Sequence, residues 1–147
     1  MKSQYGRAIV GGLAGTVAMT LMMMFVAPMM GVHMDIAKNL ADMMGSSHAA
    51  GLAVHFFNGA VLFPTIFVFA LLRFLPGTTL VKGLIWGGIL WAMLEILVMP
   101  MMGMGIFGSS GPGMKGAVAA LLAHLVYGAL LGWIVGSGSK TSTSQAI

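Results

Sequence analysis

The chain has no cysteine, so no disulfide framework can staple it and its redox compartment cannot be read from thiol usage. Charge is nearly as scarce: Asp, Glu, Lys and Arg together make up 7% of the residues, against about a quarter in a soluble domain. Asp35, Asp42 and Glu95 are the only acids, which leaves too few carboxylates for hydrolytic machinery. There is no phosphate-binding glycine loop and no Ser-His-Asp set. The net charge of +4 sits in flanking residues of the kind that anchor helices at a membrane surface, and nothing supports a nucleic-acid partner.

What is present is apolar. Mean hydropathy is +0.98, and four apolar stretches run near residues 8–30, 49–72, 80–102 and 116–136. Each exceeds the roughly 20 helical residues that cross a hydrocarbon core. A spanning chain must satisfy its backbone internally, so these stretches predict helices and a lipid-embedded protein. The first follows Lys2 and Arg7 as a signal peptide would, but it is too long and lacks a small-x-small cleavage site. It is therefore expected to stay as the first span. Lys2, Arg7, Arg73, Lys82 and Lys140 fall on one side of this arrangement, and Lys38 and Lys115 on the other. That bias predicts a bacterial or archaeal cytoplasmic membrane, with both termini in the cytoplasm.

Two patterns recur. Gly11-x3-Gly15-x12-Pro28-Met29-Met30-Gly31 returns as Gly83-x3-Gly87-x12-Pro100-Met101-Met102-Gly103, an offset of 72. His55-x3-Gly59-Ala60 returns as His124-x3-Gly128-Ala129, an offset of 69. Self-similarity at such a period bears on the whole fold. The expected fold is all-α: a four-transmembrane up-down bundle of two tandem hairpins, about 7–73 and 79–136. It forms a single domain over 1–136, with a disordered polar tail at 137–147.

The small-x3-small stripes of spans one and three predict close packing of those two spans against each other. Pro28 and Pro100 should kink or end their helices, and Pro64 should kink span two. Residues 34–45 place Ile36, Leu40, Met43 and Met44 on one helical face and Asp35, Lys38, Asn39 and Asp42 largely opposite, as in an interfacial helix. The loop from Gly105 to Gly113 is expected to be irregular.

At about 1.5 Å per residue, His55 lies roughly 9 Å inside the outer end of its span, and His124 and Glu95 about 12 Å inside theirs. Met23 is the counterpart of Glu95 in span one. Met23, His55, Glu95 and His124 thus form one layer, one residue per span. Ionisable groups at that depth are functional candidates by default. His55 and His124 could ligate one haem b from opposite sides, Gly59 and Gly128 leaving room for a macrocycle or for a neighbouring helix. Another metal or a proton role is a further option. Equally, each histidine could serve packing alone, hydrogen-bonded to a carbonyl, a hydroxyl or Glu95.

Fourteen of the sixteen methionines lie in the outer half or outer loops. Thioethers suit Cu(I), so His33, Met34, Met43, Met44 and His48, with Met29 and Met30, form a candidate external copper site. Methionine as adaptable apolar filler is the competing explanation.

A glycine-rich first span, a histidine-bearing second span and a repeated hairpin resemble small uncharacterised four-helix membrane proteins of bacteria, over about residues 6–136. That resemblance implies no activity. The architecture is also similar to four-helix b-type cytochromes, which usually carry two histidine pairs; a single pair here implies at most one haem. The leading expectation is a non-catalytic accessory subunit of an energy-transducing membrane complex, embedded in lipid and docked on other subunits or on copies of itself, with one haem between His55 and His124. An autonomous haem or copper carrier is the alternative, and a proton-coupled transporter using His55, Glu95 and His124 the third.

Overall fold

A computed structural model describes residues 2–139, with side chains from 3 to 138. Lys140 and the tail beyond it lie outside the described residues, as does the side chain of Lys2. The described residues are helical and turn-forming, with no strand. Four helices are long and apolar enough to cross a membrane: α1 (Ser3–Met30), α3 (His48–Leu71), α4 (Thr79–Met101) and α5 (Gly113–Gly136). A short helix, α2 (Ile36–Met44), joins α1 to α3.

The helices run up and down. Tyr5 of α1 meets Thr65 and Phe69 of α3, while Thr20, four turns further on, meets His55. Gly11 and Gly15 of α1 abut Leu131 and Tyr127 of α5, and Gly83 and Gly87 of α4 abut Gly128 and His124 of α5. Phe63 of α3 packs edge-on against Trp86 of α4, with ring centroids 6.3 Å apart. The cyclic order is therefore α1–α3–α4–α5. Both small-residue stripes pack on α5 rather than on each other, which corrects the expected contact between spans one and three. The reason lies in α5 itself: Gly128 and Gly132 present bare backbone to α4, and a Cβ on Gly83 would drive into the Gly128 carbonyl. Helices approach most closely where both sides are small.

A Cβ at Gly59 would collide with the Thr16 hydroxyl, and one at Gly128 with the Gly83 carbonyl, so each glycine accommodates a neighbouring helix.

Each proline within a span follows a π-helical turn that ends two residues before it. The turns are Met22–Val26 before Pro28, Asn58–Leu62 before Pro64 and Leu94–Val98 before Pro100. Proline lacks an N–H and crowds the carbonyl four residues back, so the preceding turn widens and pairs over five residues. Ala27 N bonds Met22 O, Phe63 N bonds Asn58 O, and Met99 N bonds Leu94 O accordingly. Pro28 then opens a 3-10 turn, Ala27–Met30, that ends at Gly31 with a φ of 76°.

α2 starts where Asp35 accepts from the Lys38 backbone N–H at 3.0 Å and stops at left-handed Gly45. Its buried residues are Ala37 and Ala41, which lie on Gly51 of α3. Met43 and Met44, expected on the apolar face, are exposed, because the close helix contact selects the two small residues. The loop after α4 is more ordered than its composition suggests. Ile106–Gly108 form a 3-10 turn, and Phe107, at a φ of 53°, packs its ring at a tilt against Trp91, with centroids 5.8 Å apart.

Candidate functional site: a cavity between two histidines

The hydrogen-bond partners of His55 and His124 constrain the tautomer of each ring. Thr16 Oγ1 donates to the Gly12 carbonyl and Thr20 Oγ1 to the Thr16 carbonyl, each at 2.7 Å. With that proton on the Thr16 carbonyl, the Thr20 hydroxyl meets His55 Nε2, 3.0 Å away, by accepting. The assignment that satisfies both contacts puts the proton of a neutral His55 ring on Nε2 and leaves Nδ1 bare. His124 is the mirror case. Its Nδ1 lies 2.7 Å from the Ala120 carbonyl, which can only accept, so Nδ1 holds the proton and Nε2 is bare. These tautomers follow from the partners.

The two rings line one cavity of about 470 Å³, to which all five helices contribute. Met19, Thr20 and Met23 come from α1, Ile36 and Leu40 from α2, His55 and Asn58 from α3, Leu90 and Leu94 from α4, and His124 and Tyr127 from α5. The lining is mostly apolar with a few polar groups, the usual make-up of a small-molecule pocket, and its size falls within the ordinary ligand range. At the α2 end, His48 Nε2 meets Asp35 Oδ2 at 3.0 Å. Both side chains are more than half exposed and form the rim. The backbone N–H of Lys38 holds the Asp35 carboxyl below the usual carboxylate range, and His48 adds to the effect.

Tyr127 sits deeper in this wall. Its hydroxyl donates to the Gly59 carbonyl at 2.7 Å, joining α5 to α3 across the bundle. That carbonyl needs an outside donor: Phe63 N–H bonds Asn58, and Pro64 has no N–H to offer.

Of the expected four-residue layer, Met23, His55 and His124 come together in the cavity, whereas Glu95 does not line it. Leu94 and Val98 present themselves to the cavity, and Glu95, one residue further round the helix, turns away. It is 1% exposed, and neither carboxyl oxygen has a hydrogen-bond partner. One turn to either side lie Trp91, whose indole donates to the Ala117 carbonyl of α5 at 2.9 Å, and buried Met99. Neither histidine is bonded to Glu95.

The candidate copper residues are not gathered. His48 lines the cavity, His33 lines a separate outer recess with Lys38, Met34 borders both, and Met43 and Met44 border neither. Among the described residues, no three His, Cys, Asp or Glu side chains cluster as a metal site. A haem iron would be held by His124, its ring braced through Nδ1 and its Nε2 bare. Thr20 meets the Nε2 of His55, which leaves Nδ1 as the nitrogen this ring would offer. No Arg or Lys lines the cavity to receive acidic substituents, and the carboxylate at the rim is Asp35.

Sequence reasoning passed over Thr20, Asn58 and Tyr127. Asn58 stands three residues after His55 and Tyr127 three after His124, on the same helical faces and at the same offset of 69 as the histidines. That spacing was the available signal.

The sequence pattern of the family of unknown function DUF6789 matches residues 2–146. The chain belongs to this family. No curated protein and no solved structure matches it. Family membership thus agrees with the resemblance to small uncharacterised four-helix proteins and brings no activity with it.

Proposed function

We propose that this DUF6789 protein is a four-span integral membrane protein that holds one apolar-bodied redox ligand between His55 and His124, as a small accessory subunit of a membrane redox assembly. The shared cavity carries this reading: two neutral imidazoles on different helices face one largely apolar space. The outer surface of the bundle suits lipid or protein neighbours, with Leu13, Val17, Phe25, Phe57, Leu97 and Trp133 exposed. In this reading the end with Arg7, Arg73 and Lys82 faces the cytoplasm. The bundle is taken as two tandem hairpins related about the membrane normal. The π turns at Met22–Val26 and Leu94–Val98 support this, since they repeat the 72-residue offset of the sequence pattern.

The test is to purify the protein in a mild detergent, extract it with organic solvent and identify what it carries by mass spectrometry. One apolar ligand per chain, lost in His124→Phe with folding retained, is the expected result. A folded protein with an empty extract, and no uptake of any apolar probe, would overturn it.

Haem b is the second reading, favoured by the braced His124 ring with its bare Nε2. It would use the Nδ1 of His55, or its Nε2 after release from Thr20. A Soret band with sharp reduced bands and stoichiometric iron, both lost in His55→Ala or His124→Ala, would establish it; a featureless spectrum of iron-free protein would remove it.

A further inference from the structure

We infer that the ligand of this cavity is a hydroxyl hydrogen-bond donor on an apolar body, best matched by a quinol and not by its quinone; this rests on the reading of the cavity as a ligand site. The argument is an inventory of protons. The Thr20 hydroxyl proton is engaged by the Thr16 carbonyl and the Tyr127 hydroxyl proton by the Gly59 carbonyl. The proton on His55 Nε2 goes to Thr20, and the one on His124 Nδ1 to Ala120. What these side chains leave over is acceptor capacity: a bare ring nitrogen on each histidine and the remaining lone pairs of the Tyr127 hydroxyl. Asn58, whose amide both donates and accepts, stands beside them, and His48, paired with Asp35, lies at the rim.

A wall rich in acceptors and poor in free donors selects a ligand that brings protons. Two hydroxyls on one ring bring a proton for each of the two histidines that line the cavity. The carbonyls of the oxidised form would instead set lone pair against lone pair at His55, His124 and Tyr127, with Asn58 to donate beside them and His48 only at the rim. Buried polar groups left unpaired are costly, so oxidation state should be discriminated strongly. The cavity volume of about 470 Å³ is that of an organic ligand and far exceeds a single ion.

The experiment is an anaerobic calorimetric titration of the detergent-purified protein with a decyl-benzoquinol, its quinone and its dimethyl ether. Matched alkyl chains equalise their partition into the micelle. The quinol is expected to bind at least about tenfold tighter than the other two, and His124→Phe and His55→Leu should each reduce that preference. As a second readout, ¹⁵N-histidine spectra should show the two bare ring nitrogens moving on addition of quinol but not of ether. Equal binding of quinol and ether, or tighter binding of the quinone, would overturn the inference while leaving a ligand site in place. Failure of all three compounds to bind would overturn the inference; if an apolar fluorescent probe also failed to enter, the reading of the cavity itself would fall.

Discussion

The hydroxyl of Tyr127 supplies the hydrogen bond that Pro64 withholds from the Gly59 carbonyl, at 2.7 Å and across the diagonal of the bundle. One residue's missing N–H is thus met by a side chain 63 positions later in the chain. The contact ties α3 to α5 in the cavity wall, just below the two histidines.

Tyr127→Phe should therefore destabilise the protein by about 1–3 kcal/mol, the cost of leaving a buried carbonyl without a partner. Pro64→Ala, which returns an N–H to α3, should reduce that loss when the two changes are combined. Thermal unfolding of the four proteins of this double-mutant cycle in one detergent measures the coupling; strictly additive effects would contradict the relationship.

The α4–α5 crossing makes a sharper claim about individual glycines. Gly83→Ala or Gly128→Ala places a methyl on the opposing carbonyl and should cost about 1–3 kcal/mol. Gly88→Ala, on the same helix with open space around it, should leave the melting temperature unchanged or slightly raised. Equal responses at positions 83 and 88 would mean that α4 does not pack on α5 as described.

Glu95 holds two buried oxygens with no donor. Replacing such a group by an apolar one of similar size removes the desolvation penalty without losing a bond. Glu95→Leu is expected to raise stability, by an amount on the order of 1–3 kcal/mol. A clear drop in melting temperature would point to a partner contributed from outside this chain.

At the rim, the Asp35 carboxyl is stabilised in its charged form, chiefly by the Lys38 backbone N–H. Its folded-state pKa is depressed, so its contribution is present above the unfolded carboxylate value and is lost as pH falls through the lower folded value. Asp35→Asn should flatten that acidic limb of the stability profile, and Asp35→Ala should also cost about 0.5–2 kcal/mol at neutral pH through the lost helix cap. An unchanged acid limb in Asp35→Asn would assign the effect to other groups.

Much of the bundle could be read from local pattern. Length and hydropathy located the four long helices, Pro28, Pro64 and Pro100 marked where those helices deform, and the recurrence of His55 and His124 pointed to equivalent depths. Depth carried less information than it promised for Glu95. Its height matched the histidines, but height says nothing about azimuth, and the π turn at Leu94–Val98 helps set which residues face the cavity. The glycine stripes misled in a related way. Gly11, Gly15, Gly83 and Gly87 announce close contact, yet a small residue does not name its partner; α5, with its own Gly128 and Gly132, met both stripes.

By itself the sequence determined the class of the protein, because runs of apolar residues with 7% charge leave the chain few ways to bury its backbone other than as long helices. It also determined that two histidines would sit at similar depth within such helices. Only the tertiary structure decided which helices meet, which way Glu95 points, and which group each imidazole is bonded to. Those outcomes depend on helix rotation and on hydrogen bonds such as His55 to Thr20 and Tyr127 to Gly59, between residues 35 and 68 positions apart in the chain. No periodicity along the sequence encodes them.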